Sequence, residues 1–433
     1  MKRFLCVLAL LVLAPACASA APGRAIFAVV VTRHGVRSFT STTPAYAWPD
    51  WSPVQPGFLT AHGYRLVTQL GRFYRGYFGA LGLPLRCRAG GLYVYADADQ
   101  RTLETARGLI EGACGAPGAI AYFHDARMGD GVRDPLFEGT GGAEAGASVR
   151  AVTDAVGMPL GDLVGAHAAD FARLQALLDP LCAASCPAAT AGVDRIVVKR
   201  GIAEVTGPLT TASKYAESLF LEYAQCGPRM DPQDLAAAMR LHVLAYDVNA
   251  RNAYNPLMRG GDLFAHIVGL LQAKAGRSYP DVGVPDVARA HVAIISGHDT
   301  QLGALGGVLH AHWPLGHGLV ADDMPPGGAL VFVLYRGAQG DARVGLRFVY
   351  ETLAQFRSDT PLPGGVAVSP VYLPGCRTDE CTVPLAEFVA LARVLGTRGF
   401  VVHDWTASSD VPPRLAPLAD PAWTHCESSA PSA

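Results

Sequence analysis

The stretch Ala25-Ile-Phe-Ala-Val-Val-Val-Thr-Arg-His-Gly-Val-Arg37 reads as a strand that ends in chemistry. Its first eight residues form an almost unbroken apolar, β-branched run. Such runs suit strands buried on both faces of a parallel or mixed sheet. The run leads straight into Arg33-His34-Gly35-Val36-Arg37. Two later runs share the plan. Leu92-Tyr-Val-Tyr-Ala96 leads into Asp97-Ala-Asp-Gln-Arg-Thr102, and His291-Val-Ala-Ile-Ile-Ser296 leads into Gly297-His-Asp-Thr300. In open α/β sheets, ligands bind beyond the carboxyl ends of the strands. Neighbouring ends would gather Arg33, His34, Arg37, Arg101, His298 and Asp299.

Helical patterns alternate with these runs. Residues 102–112 follow the second and residues 300–309 the third. Residues 329–336 and 344–350 read as a strand pair joined by Gly337-Ala-Gln-Gly-Asp341. From Gly207 to Gln272 the chain becomes helical, with Ala212, Tyr215, Ala216, Leu219, Phe220 and Tyr223 on one apolar face. The expected fold class is α/β. A mixed, mostly parallel sheet flanked by helices is built from residues 21–150 and 272–433, and an all-helical cap is inserted over 151–271. Pro- and Gly-rich stretches at 180–191 and 363–374 read as loops.

The 433 residues, 50% hydrophobic, are enough for one large core or two adjoining ones. A formal net charge of -2 excludes a polybasic nucleic-acid binder. Lys2-Arg3, the apolar run 4–14 and Ala18-Ser-Ala20 form a secretory signal peptide over residues 1–20. A membrane anchor is the weaker reading, because a span needs about 20 apolar residues. A lipidated Cys17 is a further alternative, disfavoured by Pro15. The mature chain is expected in the periplasm or secreted, with no membrane segment and as a monomer. Of the ten cysteines, Cys6 and Cys17 leave with the leader, and an even eight in an exported chain suggests disulfides. Cys182/Cys186 and Cys376/Cys381 are close in sequence, while Cys87 with Cys114 and Cys226 with Cys426 follow by elimination only. Zinc is the competing reading, and the spacings do not form two C-x-x-C halves.

Three guanidiniums converging on one pocket would repel one another without an anion. Their forked donors match phosphate oxygens, and the helix after each strand adds its N-terminal amides. A phosphate monoester is therefore the expected small-molecule substrate. Neutral His34 would be its nucleophile, with neighbouring arginines disfavouring the imidazolium form. Asp299 is the candidate general acid. The arginines and His298 would supply the charge stabilisation, so no metal or other cofactor is expected.

These segments resemble the histidine acid phosphatases, specifically the bacterial periplasmic phytase and glucose-1-phosphatase group. The family's R-H-G-x-R-x-P core is matched by Arg33 to Arg37, with Phe39 where proline is usual, and its H-D motif by His298-Asp299. The likeness continues through Ala47-Trp-Pro-Asp-Trp51, Gly57-Phe-Leu-Thr60, Ala96 to Thr102, Thr206-Gly-Pro-Leu209 with Glu217, and Pro325-Pro-Gly-Gly328. It thus spans nearly the whole mature chain, in order. The resemblance implies a phosphohistidine on His34, phosphate binding by Arg33, Arg37, Arg101 and His298, and proton donation by Asp299. It also implies a fourth arginine, matched by Arg259, and a substrate-contacting threonine, matched by Thr40. Two departures stand out. Phe39 should leave its loop less rigid than proline would. Ser41 stands where a phytase of this group has lysine, which weakens the case for a hexaphosphate substrate.

Each residue also has a plainer reading. A lone His-Asp after a strand is often a helix N-cap, and Arg101 alone would be a surface charge. His310, His312 and His317 read as loop histidines, and Asp322-Asp323 as a solvated loop. Glu217 could support the pocket. Three functional alternatives stay open. They are a phosphomutase of the wider superfamily, a periplasmic phosphosugar-binding protein without turnover, and a metallophosphatase.

Overall fold

The first apolar run forms β1 (Arg24–Arg33), and α1 (Ala61–Ala80) follows, capped by Thr60, whose side chain accepts from Gly63 N. The second run is β2 (Leu92–Ala96), continued by α2 (Gln100–Cys114), which ends on left-handed Gly115. The short α3 (Pro135–Glu138) and α4 (Ala145–Val156) come next, then α5 (Leu163–Ala166) and α6 (Ala168–Leu178). A hairpin of β3 (Arg195–Lys199) and β4 (Ile202–Thr206) precedes α7 (Pro208–Ala224), α8 (Pro232–Asn249) and α9 (Asn255–Lys274). The third run is β5 (Val292–Gly297), followed by α10 (Asp299–Leu309). The chain closes with β6 (Ala329–Arg336), β7 (Ala342–Glu351), α11 (Leu353–Phe356), β8 (Val366–Pro370), β9 (Thr382–Pro384) and α12 (Leu385–Thr397). This computed structural model describes residues 23–40, 46–87, 91–115, 134–139, 142–182, 186–276, 287, 289–401 and 417–426. The leader expected over 1–20 lies outside them. Among the described residues no helix is long and apolar enough to cross a membrane.

The main sheet runs β2-β5-β1-β6-β7-β8, with β9 also on β7. It is mixed, as expected, but not mostly parallel. Only β1/β5 and β2/β5 pair in parallel, and every pairing on the β6 side is antiparallel. For β6 and β7 the reason is their connection, too short for the crossover that a parallel pair needs. β8 corrects the loop reading of 363–374, since residues 366–370 pair with β7.

The alternation along β1 splits the core in two. Phe27, Val29 and Val31 face the layer containing α7 to α10 and α12, while Ala28 and Val30 face α1 and α2. The cap expected over 151–271 differs in two respects. It is not all-helical, because residues 195–206 form the β3–β4 hairpin. Nor does α9 belong to it. That helix is apolar on nearly all sides, with Phe264, Ile267 and Leu271 buried, and it lies against β1, α10 and α12. The eight mature cysteines pair as Cys87–Cys114, Cys182–Cys186, Cys226–Cys426 and Cys376–Cys381.

Two buried carboxyls give this core a pH dependence. Burial pushes both Glu222 and Glu351 up to about 8. The folded chain then keeps protons that an unfolded glutamate gives up near about 4.3. Their contribution to folding stability is therefore fullest in acid and declines by up to about 1.4 kcal/mol per pH unit per group as pH rises toward 8. In urea unfolding from pH 5 to pH 8, the stability of wild type relative to Glu351→Gln should fall as pH rises. Equal slopes in the two proteins would refute the assignment.

Candidate active site

Strand register builds the site. Arg33 lies opposite Gly297, and Ala96 lies opposite Ser296. The three strands therefore end level, and His34, Asp97 and His298 leave the sheet side by side. Two further bonds extend the alignment, from His34 N to Gly297 O at 2.8 Å and from Asp97 N to Ser296 O at 3.0 Å. The next loop folds back over α1, where a methyl group on Gly63 would strike the carbonyl of Val36. Glycine is required there by close approach.

His34 is buried, and its Nδ1 lies 2.9 Å from the carbonyl oxygen of Gly35. A carbonyl only accepts, so Nδ1 carries the hydrogen and Nε2 keeps a free lone pair. Burial, then the charges of Arg37, Arg33, His298 and Arg101, hold the imidazole well below its usual range, so it stays neutral in acid. The His298 ring stands edge-on to it, 5.5 Å between centroids.

Arg33 is wholly buried. It donates to Met324 O and pairs with Glu217 of α7 and, at 3.0 Å, with Asp299 Oδ2. Burial opposes its charge, but Glu217 and Asp299 outweigh that and hold it protonated. Arg37 reaches the same Glu217 oxygen at 3.2 Å. Arg101 lies 3.4 Å from His298 Nδ1 and pairs with Asp99 at 2.6 Å. His298 Nε2 meets Asp97 Oδ2 at 2.6 Å. Since Arg101 only donates, His298 Nδ1 accepts in this arrangement and Nε2–H points at Asp97.

Asp299 begins α10. Burial pushes its carboxyl up, but the Arg33 charge and a hydrogen bond from Tyr246 outweigh it and hold it well below the usual carboxylate range. Tyr246 on α8 is pushed far up by burial and by that carboxylate, so it remains a donor.

The structure thus brings together six of the eight residues expected from sequence: Arg33, His34, Arg37, Arg101, His298 and Asp299. Thr40 sits at the rim. A side chain on Gly57 would meet Thr40 Cγ2 at 3.3 Å and Arg101 Nη1 at 3.6 Å, which makes the two neighbours. Arg259 is different. Its guanidinium pairs with Glu204 of β4 and makes no hydrogen bond or ion pair with the other seven among the described residues. His310, His312 and His317 are exposed, as expected. Asp323 is not solvated as expected but wholly buried behind the pocket, because Trp313 Nε1 bonds its carbonyl and draws the loop inward.

Sequence reasoning missed Asp97, Tyr246 and His242 as participants. Asp97 stood in plain view at a strand end. The other two share a face of α8 at i, i+4 spacing.

A neutral imidazole, buried arginines and a carboxyl facing them suit the hydrolysis of phosphate monoesters. Comparison with known proteins agrees. No family profile matches the chain. The chain is 29% identical over 400 residues to phytase AppA of Escherichia coli (strain K12), covering 84% of this chain and 90% of the relative. The solved Hafnia alvei phytase in complex with myo-inositol hexakis sulphate is similar at 27% identity and a TM-score of 0.74, over 89% of this chain and 98% of that one. The Citrobacter braakii phytase shares the fold, with a TM-score of 0.75 at 23% identity over 88% and 100% of the two chains. The chain is thus similar to phytases of the histidine acid phosphatase type over nearly its whole described length.

Hydrogen bonds to charged groups are worth about 1.5–3 kcal/mol. Asp97→Asn should therefore lower kcat/KM about 10- to 100-fold by freeing His298. Steady-state kinetics on p-nitrophenyl phosphate will read this, and an unchanged value would remove Asp97 from the site.

Proposed function

We propose that this protein hydrolyses inositol polyphosphates of the phytate type, and simpler phosphate monoesters, through a phosphohistidine on His34. One observation carries the reading: His34 presents a free Nε2 within a cluster of buried arginine charge. Arg33, Arg37, Arg101 and His298 grip the phosphate oxygens, and Nε2 attacks phosphorus as the ester P–O bond breaks. The leaving oxygen takes a proton from Asp299. Water then attacks the phosphohistidine, gives its proton to Asp299, and inorganic phosphate leaves.

Asp299 is a carboxylate in the unliganded site, so its proton must come with the substrate. A phosphate dianion takes over the Arg33 charge and adds negative charge beside Asp299. Both effects raise its proton affinity. Proton uptake on binding favours acid, and turnover is expected to be best there. A flat profile from pH 4 to 8 would count against this. The relatives' names support phytate, while Ser41 and the Glu204 partner of Arg259 leave fewer free cations for additional phosphates. A monomer exported to the periplasm fits the leader and the disulfides.

The test compares phosphate release by wild type and His34→Ala from phytate, glucose 1-phosphate and p-nitrophenyl phosphate at pH 5, with a chelator present. Wild type should turn over, and the variant should lose about 10³-fold or more. Retained activity in the variant would remove His34 as nucleophile.

A further inference from the structure

Helix α7 carries a cation that the hydrolytic steps leave unused. One side of the helix is buried around Ala212, Ala216 and Leu219. The opposite side is a polar stripe of Thr210, Thr211, Lys214, Glu217 and Ser218, none of them fully buried. Glu217 marks where the stripe meets the phosphate pocket, since its Oε1 meets Arg33 and, at 3.2 Å, Arg37. Successive helical residues turn by about 100°, which roots Lys214 between Tyr215 on one side and Glu217 on the other. The Tyr215 ring packs on Tyr46 at 5.2 Å and on Trp48 at 5.9 Å. Trp48 in turn stands edge-on to Phe39, the residue before Thr40. Lys214 is therefore rooted between the loop that follows His34 and the carboxylate at the pocket. It is exposed and has no ion-pair partner among the described residues.

We propose that Lys214 is a specificity-determining residue: its ammonium binds a second phosphate of the substrate, beside the one held over His34. It thereby favours polyphosphorylated rings over simple monoesters. The proposal rests on the phosphate pocket argued above and names a group of this chain that recognises the rest of the substrate.

Reach and charge both support the role. Side chains three residues apart on a helix have Cβ atoms about 5–6 Å apart, and the lysine stem adds a flexible four-carbon arm to that step. The leaving oxygen of a phosphate ester departs roughly in line with the attacking atom. The alcohol of a bound monoester thus points away from His34, toward the mouth where Lys214 is rooted. On an inositol ring, a phosphate on the neighbouring carbon emerges there. The other cations near the cleft are already matched, Arg33 and Arg37 by Glu217, Arg101 by Asp99 and Arg259 by Glu204. A second phosphate reaching Lys214 displaces no carboxylate. The hydroxyl groups of Thr211 and Ser218 lie on the same stripe. p-Nitrophenyl phosphate brings only an uncharged ring to this place.

Steady-state kinetics on phytate and p-nitrophenyl phosphate at pH 5 test this in wild type, Lys214→Gln and Lys214→Arg. Because Lys214 is exposed, its replacement removes charge without opening a cavity. The ratio of kcat/KM for phytate to that for p-nitrophenyl phosphate should fall about tenfold in Lys214→Gln, mostly through KM, as one charge-assisted hydrogen bond is lost. Lys214→Arg should recover most of the ratio. Added salt should narrow the ratio more in wild type than in Lys214→Gln, since exposed charges are screened. An unchanged ratio in Lys214→Gln, a loss that Lys214→Arg fails to recover, or a wild type that cleaves p-nitrophenyl phosphate but not phytate would overturn the role of Lys214. A wild type that releases phosphate from neither substrate would instead overturn the phosphatase reading on which it rests.

Discussion

A wholly buried guanidinium cannot stand alone, and Arg33 is the charge around which this molecule is assembled. Its partners come from separate parts of the chain: Glu217 from α7, Asp299 from the start of α10, and the carbonyl of Met324 from the loop before β6. Leaving a buried charge unpaired costs about 3–5 kcal/mol. One side chain therefore ties the helical layer to both halves of the sheet, and does so at the bottom of the phosphate pocket.

The same compensation prepares the chemistry. Every arginine of the central cluster has an acidic counterpart: Arg33 and Arg37 share Glu217 and Arg101 has Asp99, while Asp97 accepts from His298. The unliganded site is thus electrically tolerable, and under the proposed function an arriving phosphate would replace contacts instead of meeting bare charge. Preorganised donors of this kind cost no rearrangement when negative charge develops. Asp299 illustrates the exchange. What holds it ionised is the Arg33 charge, which in the proposed mechanism a phosphate would take over.

Strands buried on both faces write themselves as apolar runs, so β1, β2, β5, β6 and β7 were legible to within a residue or two. The chemistry at their ends was legible because strand direction alone collects it. Elsewhere the local pattern was silent. Val366 to Pro370 lies among prolines and glycines, and only its pairing with β7 makes it a strand. α9 shows the periodicity of any helix, and its placement against the sheet is a tertiary fact. Asp323 reads as a solvated acid because nothing local reveals that Trp313 pulls its loop inward. Arg259 matches a family position, yet its nearest acid, Glu204, lies on a hairpin that sequence reading took for helix.

Phe39 shows how packing can support a position where the motif otherwise has proline. Where relatives of the motif carry proline, rigidity would come from a fixed φ. Here the Phe39 ring packs edge-on against Trp48 at 5.5 Å and tilted against Trp51 at 4.9 Å. Trp51 in turn meets Trp423, whose indole nitrogen donates to Asp50 O and whose segment is fastened by Cys226–Cys426. Backbone bonds from Gly57 N to Phe39 O and from Ser38 N to Phe58 O close the loop on its other side. Aromatic packing thus supports the position that a proline ring would otherwise fix. Buried aromatic pairs contribute about 0.5–1.5 kcal/mol each beyond area, enough for a chain of three to hold Arg37 and Thr40 in place. The C-terminal segment, remote in sequence from His34, is in this way packed against the loop that follows it.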